Sequence, residues 1–214
     1  MNPALLLAVF SSLGFGAGDF AGGIAARRGP PLAVTGFSGL AALLVLLAAW
    51  PLVPGTPGGA DLLWGLVAGA CGAAGGTMIY WALALGPVSV ASPTFSLVGF
   101  SVPVLVGVAM GQRPSAVAWG GVALAVFAIP LLSWTGPDAD PARRAHVRRT
   151  LVVSVATGLV IGWFLVCIAR IAPGSGLAPL VVARVTAVVL LAAACLVRGI
   201  RPWPRCGGPC RWPW

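Results

Sequence analysis

The sequence contains no lysine and no glutamate, and its 214 residues include one histidine, one tyrosine and four acidic residues. Charged residues make up 8% of the chain, whereas an ordinary soluble domain has about 25%. This scarcity excludes a soluble globular protein and removes most of the side chains on which enzymes depend. Apolar residues make up 59%, and the mean hydropathy is +1.00. The composition indicates an integral membrane protein.

Seven hydrophobic windows are each long enough to cross a bilayer core of about 30 Å, which takes about 20 helical residues. They cover residues 3–26, 32–52, 62–85, 88–111, 116–134, 150–171 and 177–197. Most of the breaks between them are short and rich in proline and glycine, which predicts antiparallel neighbours in one helical bundle. The predicted fold is therefore all-α, with about seven transmembrane helices.

This pattern divides the chain into four parts: helices 1–5 in residues 1–135, a polar connector at 136–149, helices 6 and 7 in 150–198, and an irregular tail at 199–214. Glycines recur at intervals of four on helices 1 and 3, a spacing that lets helix backbones approach each other in membranes. We expect seven of them to be packing positions: Gly14, Gly18, Gly22, Gly65, Gly69, Gly72 and Gly76.

The net charge of +9 comes from 13 arginines that are scattered between the hydrophobic windows. They form no basic face and no long basic run, so nucleic-acid binding is not expected. Ten of them lie in the odd-numbered connections and the tail, against two in the even-numbered connections. The positive-inside rule therefore favours an amino terminus outside the cell.

An internal repeat is visible when the chain is compared with itself. A shift of 144 residues places Gly14 on Gly158 and Gly18 on Gly162, and a shift of 148 places Pro31 on Pro179. Helix 1 then corresponds to helix 6 and helix 2 to helix 7. Because this offset of five helices is odd, the second copy must enter the membrane in the opposite direction. Inverted repeats are typical of secondary transporters.

Several segments in a fixed order resemble a known family. They are Gly-Asp-Phe-Ala-Gly-Gly at 18–23, the segment 80–93, the apolar stretch 103–132 and the segment 176–184. Together they resemble an EamA domain of the drug/metabolite transporter superfamily. The resemblance implies ten helices in two inverted halves, both termini in the cytoplasm, and transport of small metabolites or drugs. Relative to that pattern, the chain is expected to be truncated after helix 7, and Gln112 replaces a usual glutamate.

Two charged residues lie about two helical turns inside hydrophobic windows, where charge is costly and usually faces a cavity. Asp19 lies about 10 Å from the end of helix 1, and Arg184 lies about 10 Å into helix 7 from the opposite face. Asp19 is a candidate for exchanging a proton or binding a cationic group, and the alternative is simple hydration near the helix end. Arg184 is a candidate for binding an anionic group or helix-end carbonyls, and direct pairing of the two is not expected.

Helix 4 contains Pro93 and Pro103, which remove backbone donors and predict a broken helix of the kind that lines substrate sites. Ser92 and Ser96 share one face of this helix and are candidate cavity residues; the alternative is that they bond to their own helix. Tyr80 is a candidate substrate contact, although aromatic residues near a helix end also anchor to the membrane interface.

The sequence offers little support for an enzyme. Gly36-Phe37-Ser38-Gly39 is similar to the nucleophile motif of rhomboid-like intramembrane proteases, but His146 lies in the polar connector, outside the bundle. Cys206 and Cys210 lack the further ligands that a zinc site needs, so neither a metal nor a cofactor is expected.

The most direct interpretation is a multi-pass carrier in a bacterial-type cell membrane that moves a small organic solute, driven by a proton or solute gradient. Its expected partners are the lipid bilayer, the solute and protons, and an oligomer remains open. The alternative is a non-transporting membrane fragment or accessory protein, with an intramembrane serine protease as a remote third.

Overall fold

The computed structural model describes residues 3–113, 115–132 and 141–199, and these ranges are helical with short connections. Apolar residues surround each helix instead of forming one stripe, as expected of helices that face both protein and lipid. The α-helices are α1 (Pro3–Arg28), α2 (Pro31–Ala49), α3 (Gly59–Leu85), α4 (Val88–Ala109), α5 (Ala116–Leu132), α6 (Pro141–Ala169) and α7 (Ala178–Val197), with single 3₁₀ turns at Trp50–Leu52 and Pro173–Ser175.

Within the described residues, five segments are long and apolar enough to cross a membrane, so the chain is a multi-pass integral membrane protein. They are Pro31–Leu52, Gly59–Leu85, Val88–Ala109, Ala145–Ala169 and Ala178–Val197. Helices α1, with 26 residues, and α5, with 17, are not in this set. Their crossing of the membrane stays a prediction.

One helix is longer than the sequence predicted, and one expectation about a helix was wrong. Helix α6 begins at Pro141, so residues 141–149 of the expected connector are helical. Proline is favoured at the first helical position and arginine is a good helix former, which explains the extension. Helix α4 continues through Pro93 and Pro103 instead of breaking. In a membrane helix, groups on neighbouring helices can satisfy the backbone carbonyls that a proline leaves without a partner.

Three further expectations lie outside the described residues. They concern the first part of the connector, at residues 136–140, the tail from residue 200 onward, and the cysteines at 206 and 210.

Helix α3 lies at the centre of the bundle and packs against both α6 and α7. Its glycines allow a close approach of backbones. A side chain at Gly65 would meet the carbonyl oxygen of Pro179, and one at Gly69 would meet that of Ala183. Only hydrogen fits at these two positions, so α3 and α7 are held in direct backbone contact.

The other contacts of the bundle are also small-residue contacts. A side chain at Gly162 of α6 would meet Val102 of α4. Gly76 of α3 lies close to the methyl group of Thr35 on α2, and Gly72 lies in ordinary contact with the ring of Phe164. The central helices are therefore joined by glycine-lined surfaces, while many large apolar side chains, such as Leu44 and Phe100, are exposed on the outside of the bundle.

The ends of the bundle fix the direction of the helices. At one end, the Arg27 guanidinium donates a hydrogen bond of 3.0 Å to the Gly86 carbonyl, and Thr150 packs against the same glycine. At the other end, the Thr56 amide donates to the Gly174 carbonyl at 3.2 Å. Helix α1 therefore ends at the same end of the bundle at which α6 begins. The two helices run in opposite directions.

Candidate functional site

A cavity of about 530 Å³ opens between α1, α2, α3, α6 and α7. Five of its wall positions are glycines, which leave the space that larger side chains would fill. The lining residues are Ser11, Gly14, Gly18, Asp19, Thr35, Ser38, Gly39, Ala42, Gly72, Gly76, Ile79, Tyr80, Ile161, Phe164, Arg184, Ala187 and Leu191. The cavity has the volume of an ordinary small-molecule site.

Asp19 is the acidic group of this cavity. Its carboxylate is partly buried on α1 and accepts a hydrogen bond of 2.9 Å from the Ser92 hydroxyl of α4. A charge at this depth needs a polar partner or water, because the surrounding helices are apolar. One serine hydroxyl leaves most of the acceptor capacity of a carboxylate unused, so Asp19 can accept a further donor from the cavity.

Arg184 is the basic group of the same cavity. It lies on α7 and also lines a neighbouring cavity of about 340 Å³. Its guanidinium lies within electrostatic range of Tyr80 but forms no ion pair with Asp19, although both residues belong to the described part of the chain. The cavity therefore presents an acid and a base that do not neutralise each other.

Tyr80 of α3 completes the polar side of the wall, and its ring packs against Gly22 of α1. A side chain at Gly22 would collide with that ring, whereas one at the next residue, Gly23, would make ordinary contacts at 3.6 Å or more. Gly22 therefore determines where the phenol lies. No described residue forms a hydrogen bond with its hydroxyl, which leaves that group open to a solute in the cavity.

The hydroxyls contributed by α2 are already bonded to their own helix. Thr35 donates to the Pro31 carbonyl at 2.8 Å, and Ser38 donates to the Thr35 carbonyl at 3.0 Å. Such bonds satisfy the donor and leave acceptor capacity on the hydroxyl oxygens of these two cavity residues. No histidine among the described residues contacts Ser38, so the geometry there lacks the base that a serine nucleophile requires.

The structure brings together four of the six predicted site residues. Asp19, Tyr80 and Arg184 line the cavity, and Ser92 reaches it through its hydrogen bond to Asp19. Pro93 and Ser96 are on α4 but do not line it. Two of the predicted packing glycines make no contact with a neighbouring helix among the described residues.

Those two glycines are Gly14 and Gly18. A side chain at either would meet no described atom within 4 Å, and both lie on the cavity wall. These contacts give no support to a packing role for the two glycines. Here α1 borders open space, whereas α3 and α7 are in direct backbone contact.

Asp61 is a polar residue that the sequence did not single out. It lies in the first turn of α3, and its carboxylate accepts hydrogen bonds from the Ala172 amide at 3.0 Å, the Ser175 hydroxyl at 2.7 Å and the Gly58 amide at 2.9 Å. It thereby ties the α2–α3 connection to the α6–α7 connection. The available signal was its position three residues after the helix N-cap, where an acidic side chain caps the backbone.

Comparison with known proteins gives the family. The model of the EamA-like transporter family matches residues 2–134, and the chain belongs to this family. No curated protein and no solved structure matches the chain. The family and the membrane-spanning helices together indicate a transporter of the drug/metabolite type.

Proposed function

We propose that the protein is a gradient-driven secondary carrier of a small organic solute, located in a bacterial-type cell membrane. The observation that carries this proposal is the cavity of about 530 Å³, in which Asp19 and Arg184 face a common space between apolar helices. Charged groups inside a membrane protein are costly, and they mark solute or ion pathways. The family match supports transport as the activity.

The proposal includes seven membrane crossings arranged as one five-helix unit and the first two helices of an inverted second unit. The family match over residues 2–134 supports the first unit. The opposite directions of α1 and α6 support the inversion, because a repeat with an odd offset places its copies in opposite directions.

Coupling to protons would occur at Asp19. Its carboxylate lies in the cavity and has one hydroxyl partner among the described residues, so it can bind a proton or a cationic group of the solute, but not both at once. This competition would link the movement of the solute to that of the proton. In a carrier of this kind the solute and the proton share one cavity and need no nucleotide.

Counterflow in proteoliposomes tests the proposal. Purified full-length protein is reconstituted into vesicles that hold an unlabelled mixture of amino acids, sugars and nucleosides, and uptake of labelled members is measured. We expect protein-dependent counterflow of at least one solute. Asp19→Asn should retain counterflow but remove the pH dependence of net flux, while Asp19→Glu keeps it.

Three outcomes would contradict the proposal in separate ways. Absence of counterflow by protein with intact helical circular dichroism would favour a non-transporting membrane or accessory protein. Unchanged pH dependence in Asp19→Asn would remove Asp19 from the coupling step. Equal flux in vesicles without protein would show that the uptake is leakage.

A further inference from the structure

We propose that the cavity selects small zwitterions, with Asp19 binding the cationic group of the solute and Arg184 binding its anionic group. This inference rests on the proposed carrier function and specifies the chemical class of its substrate. It is carried by the juxtaposition of an acid and a base that line one cavity without forming an ion pair.

The first step of the argument concerns the unused bonding capacity of the two groups. Asp19 accepts one hydrogen bond among the described residues, from Ser92, and a carboxylate has room for several more. Among the described residues, the Arg184 side chain donates no hydrogen bond, and Tyr80 is the cavity residue within its electrostatic range. A solute that donates to the first and accepts from the second satisfies both.

The second step compares the possible charges of the solute. A cation would pair with Asp19 and leave Arg184 unpaired in the same cavity, and an anion would do the reverse. A neutral solute leaves both groups unpaired. Unpaired charge is penalised where apolar helices surround the site, so only a solute with both charges complements the whole cavity.

The third step concerns the rest of the solute. The rest of the lining is largely apolar and includes Ile79, Ile161, Phe164 and Leu191. The volume of about 530 Å³ accommodates a small molecule with an apolar substituent as well as its charged ends. The site therefore fits a compact zwitterion with an apolar side group better than a sugar.

A charge series on one carbon skeleton tests this inference. Binding of L-leucine, its methyl ester, N-acetyl-leucine and N-acetyl-leucine methyl ester to the purified protein in nanodiscs is measured by competition or calorimetry. These compounds are respectively zwitterionic, cationic, anionic and neutral. We expect the zwitterion to bind at least about tenfold more tightly than each of the other three.

Matched variants assign the two charges. Arg184→Gln should abolish the preference for leucine over its methyl ester, and Asp19→Asn should abolish the preference over N-acetyl-leucine. Arg184→Lys keeps the positive charge and should retain most of the preference. Arg113→Gln, which changes an exposed arginine in the α4–α5 connection, should leave all four affinities unchanged. A general loss of folding would weaken binding of all four compounds together. A change in the ratio of their affinities therefore reports a change in selectivity.

The inference and the carrier proposal fail separately. Equal binding of the four compounds, tighter binding of a singly charged analogue, or no binding of leucine would overturn the zwitterion inference. Counterflow of another solute in that case would leave the carrier proposal intact. A zwitterion preference in protein that shows no counterflow would support the site and contradict transport.

Discussion

The close contact between α3 and α7 predicts that an added methyl group at Gly69 destabilises the protein. A Cβ atom there would meet the Ala183 carbonyl oxygen, and it would lie 2.7 Å from Cβ of Thr186. Both neighbours are on the α7 backbone or next to it, so they cannot swing away as a long side chain would. Relief of the overlap requires the two helices to separate.

The magnitude follows from two opposing effects. Overpacking in a tight interior costs about 1–3 kcal/mol, whereas replacing a helical glycine by alanine stabilises the helix by about 0.5–1 kcal/mol. Gly69→Ala should therefore lower the free energy of unfolding by about 1–2 kcal/mol. Gly14→Ala should raise it by about 0.5–1 kcal/mol, because no described atom lies within 4 Å of its Cβ.

The assay is equilibrium unfolding of the two variants in mixed detergent micelles, followed by circular dichroism. The expected gap between them is about 1.5–3 kcal/mol, which is above the usual error of such measurements. Equal stabilities of Gly69→Ala and Gly14→Ala would refute the packing of α3 against α7. Because Arg184 follows Ala183 on α7, Gly69→Ala should also weaken solute binding.

Asp61→Ala should lower the midpoint of thermal unfolding in detergent more than Ser175→Ala does, because it removes three hydrogen bonds instead of one. The double variant should have the same unfolding midpoint as Asp61→Ala. Additive losses in midpoint would contradict the hydrogen bond between the two side chains. Gly22→Ala should reduce counterflow severalfold by displacing the ring of Tyr80, while Gly23→Ala should not; equal flux in both would contradict the position of the phenol.

The helices could be predicted from the sequence because about 20 consecutive apolar residues suffice to identify a crossing. Hydropathy measures how a segment partitions into lipid and not where its helix begins. This explains why the arginine-rich first turns of α6, from Pro141, were predicted as a connector. Likewise Pro93 and Pro103 predict weakened backbone bonding, whereas the continuity of α4 depends on helices packed around it.

The site could be predicted only in part. Charge inside an apolar window identified Asp19 and Arg184, but their depths in the membrane did not show that both line one cavity. Asp61 could not be recognised as a junction, because its partners Ala172 and Ser175 are 111 and 114 residues away in the sequence. A single sequence does not show which distant connections meet at one end of a bundle.

The most direct test of a water-filled, solute-binding cavity is chemical labelling of two cysteine variants of α2 in a background without the five native cysteines. Ser38 lines the cavity, and Leu44, 61% exposed, lies on the outer surface of the helix. Thiols react as thiolates, which form in water and not in lipid. A membrane-impermeant methanethiosulfonate should modify Ser38→Cys and spare Leu44→Cys. Modification of Leu44→Cys alone, or of neither, would contradict the cavity.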